Sequence, residues 1–186
     1  LASLTVGKGV ESIGIKAFGG CVHLTKISFN SVDSPGMASR TSNGGTLSNG
    51  VFTGCGTKAA GISVVFGKSV ASVPSNLFCG YTGNTSTYGF SETSPEEHPN
   101  VVSVSLPEGL KTIGYRAFAN LSELKAASIP GSVDSVGNRA FFGCTSLESV
   151  TIPDSVKTIG EYAFYGCTSL ASLTVGKGVE SIGIKA

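Results

Sequence analysis

Two histidines, His23 and His98, five cysteines and one Gly67-Lys68-Ser69 run are the groups in this chain best suited to catalysis, metal binding or phosphate binding. A nucleophile needs a base within hydrogen-bond reach and a third group to orient that base. His23 lies two residues after Cys21, at a position held elsewhere by Ser146 and Ser169, and reads as a solvated turn residue. His98 follows Glu96 and Glu97 on a segment bounded by Pro95 and Pro99. Those three would share a metal only if the loop folded back, because neighbouring residues on such a loop point apart. The Gly-Lys-Ser run resembles a phosphate loop, but five residues separate Gly61 from Gly67, where a loop that wraps phosphate needs four. Gly7-Lys8-Gly9 and Gly176-Lys177-Gly178 occupy the same phase of a repeat, so the run reads as a turn. Catalytic, cofactor and metal sites are therefore not expected.

What positions these residues is a repeat. The pattern Leu124-x-x-Ala127-x-Ile129-Pro130-x-x-Val133-x-x-Val136-Gly137-x-x-Ala140-Phe141-x-Gly143-Cys144 returns from Leu147 to Cys167 with a period of 23 residues. The signature phenylalanines are Phe18, Phe52, Phe78, Phe118, Phe141 and Phe164, spaced by 34, 26, 40, 23 and 23. A fixed period in the twenties means one supersecondary unit per repeat, each burying its apolar face only against its neighbours. The expected architecture is a single solenoid over residues 1–186, with about seven rungs and loop insertions near 30–48 and 82–100. Residues 1–17 and 170–186 are identical and in the same phase, which fits either a block duplication within a longer array, the favoured expectation, or a segment cut at equivalent points of the repeat. The parent sequence should then continue Phe-Gly-Gly-Cys-Val-His-Leu after Ala186.

Each rung reads as a short strand, such as Ser172 to Val175 with Leu173 and Val175 inward, stacking into a parallel sheet. The Val-x-x-Ile-Gly segment should return as extended or 3-10 structure, and the signature Phe should plug the core at every rung. Many of the 26 glycines fall at fixed phases and read as turns. Cys21, Cys55, Cys144 and Cys167 share one phase and read as an inward row of small hydrophobic groups; Cys79 is out of phase and is expected to be exposed or paired. With 13 basic and 12 acidic residues and no charge runs, the footprint of a nucleic-acid or anionic-membrane binder is missing.

The motif L-x-x-(L/V)-x-I-P-x-S-V-x-x-I-G-x-x-A-F-x-G-C-x-S-L, including Ser155-Val156, Ile159-Gly160 and Ala163-Phe164, resembles the BspA-like (Treponema-type) leucine-rich repeat. The resemblance implies a curved right-handed leucine-rich-repeat array, mainly β and irregular, with one short parallel strand per rung. It also implies an extracellular or cell-surface protein of bacteria or host-associated protozoa, without enzymatic activity, used in adhesion or protein binding. Val73-Pro74 and Tyr81 depart from the pattern, making the third rung the least regular.

Binding would fall on two features. One is the outward rows of the strands: Ser3, Lys26, Ser63, Ser103, Ala126, Ser149 and Ser172, beside Thr5, Ser28, Val65, Ser105, Ser128, Thr151 and Thr174. These hydroxyls either merely keep an exposed sheet soluble or dock a peptide or glycan. The other is the insertions, where Tyr81, Tyr88 and Phe90 would be contact anchors or a cover for the third rung. Partners would be host, matrix or cell-surface proteins or glycans. Asn84 and Asn120 begin glycosylation acceptor patterns. A structural alternative is end-to-end stacking into fibres through Leu1, Leu4, Val6, Val179 and Ile182.

Overall fold

The computed structural model describes residues 1–14, 16–31, 50–78 and 98–186 throughout, and the backbone of five short strands within 32–49 and 79–97. The first rung supplies β1 (Ser3–Val6) and β2 (Ser12–Ile13); the second supplies β3 (Lys26–Phe29) and β4 (Gly36–Met37), followed by β5 (Thr41–Ser42) and β6 (Gly45–Thr46). The third gives β7 (Ile62–Phe66) and β8 (Ser72–Val73), then β9 (Thr85–Ser86) and β10 (Gly89–Phe90). The fourth gives β11 (Val101–Ser105) and β12 (Thr112–Ile113), and the fifth only β13 (Ser135–Val136). The last two give β14 (Ser149–Ile152) with β15 (Thr158–Ile159), and β16 (Ser172–Val175) with β17 (Ser181–Ile182).

The longer strands stack in parallel in the order β1-β3-β7-β11, and β14 pairs with β16. Return strands form a second parallel sheet, β8-β12-β13-β15-β17. The expected extended return is therefore a ladder in its own right, and no residue of the described chain is helical. Burial follows the two-residue side-chain period. In β14, Val150 and Ile152 are inside while Ser149 and Thr151 are outside. Ile113, Val136 and Ile159 of the return sheet join them in one core.

The signature phenylalanines make a continuous stack through that core. Successive rings from Phe18 through Phe52, Phe78, Phe118 and Phe141 to Phe164 have centroids 5.2 to 6.0 Å apart. Cysteines of the row follow them inward: the Cys144 thiol donates to the Phe118 carbonyl at 3.1 Å, and Cys55 and Cys167 repeat the contact with Phe18 and Phe141. Serines tie the opposite side, Ser132 donating to the Leu110 carbonyl and Ser155 to that of Val133, both at 2.7 Å.

Around these phenylalanines the chain turns through left-handed residues. The position two before each holds Lys16, Gly50, Asn76, Arg116, Arg139 and Tyr162, with φ between 51° and 59°. Two after it stand Gly20, Gly54, Asn120, Gly143 and Gly166, with φ between 60° and 79°. That explains the glycine of the Ala-Phe-x-Gly signature. The Ile-Gly glycines are different: Gly114, Gly137 and Gly160 lack positive φ, and a methyl on Gly137 would meet the Ile113 carbonyl oxygen at 2.8 Å. They mark close backbone approach between rungs rather than turns.

The first insertion begins later than its composition suggests. Ser12 and Ile13 pair with Gly36 and Met37, and Asn30 and Ser31 bond back to the first rung. The excess residues therefore follow Met37 and include the antiparallel pair β5–β6. The second insertion holds the antiparallel pair β9–β10, and Asn100 at its end returns to bond Cys55 and Ile62.

Candidate functional site

The outward rows are in register. Ser3, Lys26, Ser63 and Ser103 lie opposite one another across the four-stranded sheet, as do Thr5, Ser28, Val65 and Ser105. In the sixth and seventh rungs Ser149 pairs with Ser172 and Thr151 with Thr174. All these side chains are exposed except that of Ser28, which is half-buried. Ser103 and Ser63 hydroxyls bond each other at 3.0 Å, while Val65 interrupts the second row with 40% exposure. The surface is thus uncharged apart from Lys26 and rich in hydroxyl donors and acceptors.

A break divides it. In the fifth rung only Ala126 bridges to Ser149, and Ser128 is exposed but lies outside any strand. Alanines at 126 and 127 are poor strand formers, and Pro130 has no amide to give a ladder. The strand face is consequently two patches, of four strands and of two.

Tyr81, Tyr88 and the Phe90 side chain lie outside the described residues, as do Cys79, Glu96 and Glu97. His23 is exposed, in agreement with a solvated turn. His98 is mostly buried, and that burial lowers its pKa to about 4, so it stays neutral near pH 7. Among the described residues no group of His, Cys, Asp and Glu is arranged to hold a metal. The Gly67 amide donates to the Phe29 carbonyl at 2.8 Å, a rung-to-rung bond that occupies the donor a phosphate would want. Asn120 sits in the left-handed turn with its side-chain oxygen against Gly143. Of the residues expected at the ends, Leu1 and Ile182 are exposed, Leu4 is half-buried, Val179 is partly buried, and Val6 is 4% exposed within the core.

One surface feature escaped the sequence reading. Arg139, of the fifth rung, donates to the Tyr115 hydroxyl of the fourth at 3.4 Å and sits 4.9 Å over the Tyr162 ring of the sixth. Lys185 approaches the same ring at 5.9 Å, and Phe142 stacks on Tyr165 at 5.6 Å. The signal was the residue two before each Phe, where Lys, Arg and Tyr recur.

The thiols behave as core groups. Burial raises the pKa of Cys55 and Cys167 to about 11 and that of Cys144 further still. Raised folded-state pKa values give stability that is complete below pH 9 and lost as pH climbs from 9 through 11. The melting temperature should therefore fall between those values, and the fall should be shallower in a Cys55→Ala, Cys167→Ala double variant. Identical slopes would show that the thiols do not titrate on unfolding.

A family model described as "BspA type Leucine rich repeat region" matches residues 1–94 and 91–186 in six copies. A solved leucine-rich repeat protein from Bacteroides ovatus ATCC 8483 is 26% identical with a TM-score of 0.62, covering 93% of this chain and 37% of that one. The pneumococcal vaccine antigen PcpA is 20% identical with a TM-score of 0.51, over 99% of this chain and 54% of its own. The T. pallidum leucine-rich repeat protein TpLRR is 20% identical with a TM-score of 0.50, over 98% and 73%. The chain therefore spans well under two thirds of the first of these. No curated protein matches it.

Proposed function

Since the chain belongs to the BspA-type leucine-rich repeat family, whose model covers both of its halves, we propose that it is a non-enzymatic scaffold displayed outside the cell, where it binds host, matrix or cell-surface proteins or glycans. The observation that supports this most is the in-register array of outward hydroxyls on a parallel sheet, held by a continuous apolar core. Many weak hydrogen bonds spaced about 4.8 Å apart along the stack suit an extended ligand better than a small substrate. The two insertions fall between strands of this face in sequence, one between β3 and β7 and one between β7 and β11, and binding residues concentrate in loops held by a rigid scaffold. The charge balance argues against nucleic acid, and among the described residues no helix is long and apolar enough to cross a membrane.

The test is binding of the chain to immobilised matrix proteins and cell-surface glycans. Deleting residues 38–48, or replacing Ser63 and Ser103 by arginine, should leave the circular dichroism spectrum and melting temperature nearly unchanged, since surface loops and exposed side chains contribute little to stability. At least one of these variants should bind about tenfold more weakly. If both fold and bind as the parent does, this face and this loop are not the site. End-to-end self-association is the second reading, favoured by the 62% and 59% exposure of Leu1 and Ile182. Sedimentation at rising concentration decides it, and a persistent monomer removes it.

A further inference from the structure

The cysteines of the inward row come as two neighbouring couples. Cys21 and Cys55 stand three residues after the signature Phe of the first and second rungs, and Cys144 and Cys167 do so in the fifth and sixth, while Tyr81 and Leu121 hold that phase between them. Backbone bonds join the rungs of each couple at this level. The Gly20 amide donates to the Thr53 carbonyl at 2.8 Å, the Gly56 amide to the Cys21 carbonyl at 3.2 Å and the Gly143 amide to the Tyr165 carbonyl at 2.8 Å. One oxygen gathers each couple. The Phe18 carbonyl accepts from the Cys21 amide at 3.3 Å and the Cys55 thiol at 3.0 Å, and the Phe141 carbonyl accepts from the Cys144 amide and the Cys167 thiol, both at 3.2 Å. The Cys21 side chain is also a hydrogen-bond partner of the Cys55 thiol.

In-register rungs rise by about 4.8 Å, inside the ~4.4–6.8 Å window of Cα separations that a disulfide spans. The thiols of Cys55 and Cys167 have only to turn from a carbonyl to the sulfur of the rung before. We propose that Cys21–Cys55 and Cys144–Cys167 close as two rung-to-rung disulfides when the chain folds in an oxidising compartment. The oxidant is a small disulfide such as oxidised glutathione. One protein thiolate attacks it and expels a glutathione thiolate; the neighbouring thiolate then attacks the protein sulfur of the mixed disulfide and expels the second. Two protein thiols thus lose two electrons and two protons, and one glutathione disulfide becomes two thiols. The step belongs to folding, as the rungs come together, because burial raises the pKa of Cys55 and Cys167 to about 11 and leaves little thiolate once they are stacked. Display outside the cell, as proposed above, is relied on only for the supply of oxidant. The bonds join residues 34 (55 − 21) and 23 (167 − 144) apart in sequence, so each clamps one rung to the next.

The test is refolding of the reduced, urea-unfolded full chain in a buffer of reduced and oxidised glutathione, followed by trypsin digestion without reductant and mass spectrometry. Trypsin cuts after Lys26 and Lys157, between the members of each couple. The refolded chain should be lighter than the reduced one by four hydrogens. Its map should join the Cys21 peptide to that of Cys55 and the Cys144 peptide to that of Cys167, with Cys79 the one thiol alkylated in denaturant. The melting temperature should rise by roughly 5–10 °C and fall back on reduction. Cys21→Ser and Cys167→Ser should each remove one linkage while the other forms, and each should forfeit about half of that rise. Should either variant not fold, the map of the parent decides alone. More than one free thiol after refolding, glutathione adducts in place of linkages, or Cys79 bonded to any of the four would each overturn the assignment. Because refolding needs neither ligand nor cell, failure here leaves the strand-face reading untouched.

Discussion

Phe118→Ala is expected to lower the unfolding free energy by about 3–5 kcal/mol, read by urea denaturation. Phe118 is fully buried and touches rings on three sides: Phe78 at 6.0 Å, Phe141 at 5.2 Å and Phe66 at 6.3 Å. A cavity there cannot close by one rung settling, because the flanking rings are held by their own neighbours and by rung-to-rung backbone bonds. Stability in a stacked array is a sum of nearest-neighbour terms, so a break in the middle weakens both sides. Phe142→Ala, one residue after a signature Phe but half-buried, should cost clearly less. Equal losses for the two variants would mean that the Phe stack is not the main apolar contribution.

Gly137→Ala should cost about 2–3 kcal/mol, a large effect for a single methyl group. The added carbon would meet the Ile113 carbonyl oxygen at 2.8 Å and the backbone of Gly114 at 2.9 Å. Both are main-chain atoms inside the return ladder, which cannot rotate away. Relief would require the fourth and fifth rungs to separate, stretching the Gly137-to-Ile113 bond of 2.9 Å. Gly131→Ala is the control, since a methyl there meets nothing within 4 Å; it should be neutral or slightly stabilising by limiting the unfolded chain. If both substitutions behave alike in a thermal melt, close approach is not what selects glycine after the return strand.

Much of this architecture was legible because a repeat reports the same physical demand several times over. The Phe stack follows from one residue type at one phase, and the Val150 and Thr151 alternation follows from the two-residue strand period, whereas Leu173 and Val175, expected inward, are 42% and 41% exposed. The glycines were half misread. Gly143 and Gly137 look alike in sequence, yet one supplies a left-handed turn and the other supplies space. The left-handed position before each Phe was hidden because Arg116, Arg139 and Tyr162 carry no local signature for it; only Gly50 and Asn76 hint at one. Cross-rung packing over-determines that conformation at a cost of about 1–3 kcal/mol per residue. The first insertion was placed too early because Gly36-Met37 has no hydrophobic alternation to betray a strand, and its pairing is decided by the preceding rung. On the strand face, the outward hydroxyl rows were readable from phase alone.

The gap in the strand ladder gives the molecule unequal mechanical edges. Between β11 and β14 no described strand pairs on one face, whereas β12, β13 and β15 run on without interruption on the other. A force that bends the solenoid is therefore resisted at this step by the return sheet, the Phe118–Phe141 contact and the turn-layer bonds, with only the Ala126–Ser149 bridge and the neighbouring Glu148-to-Lys125 bond on the strand face. Such an object behaves like a book with a sewn spine: it flexes by opening and closing its pages. The angle between the four-stranded and two-stranded patches is its softest coordinate, so a ligand long enough to span both would fix the curvature of the array as it binds.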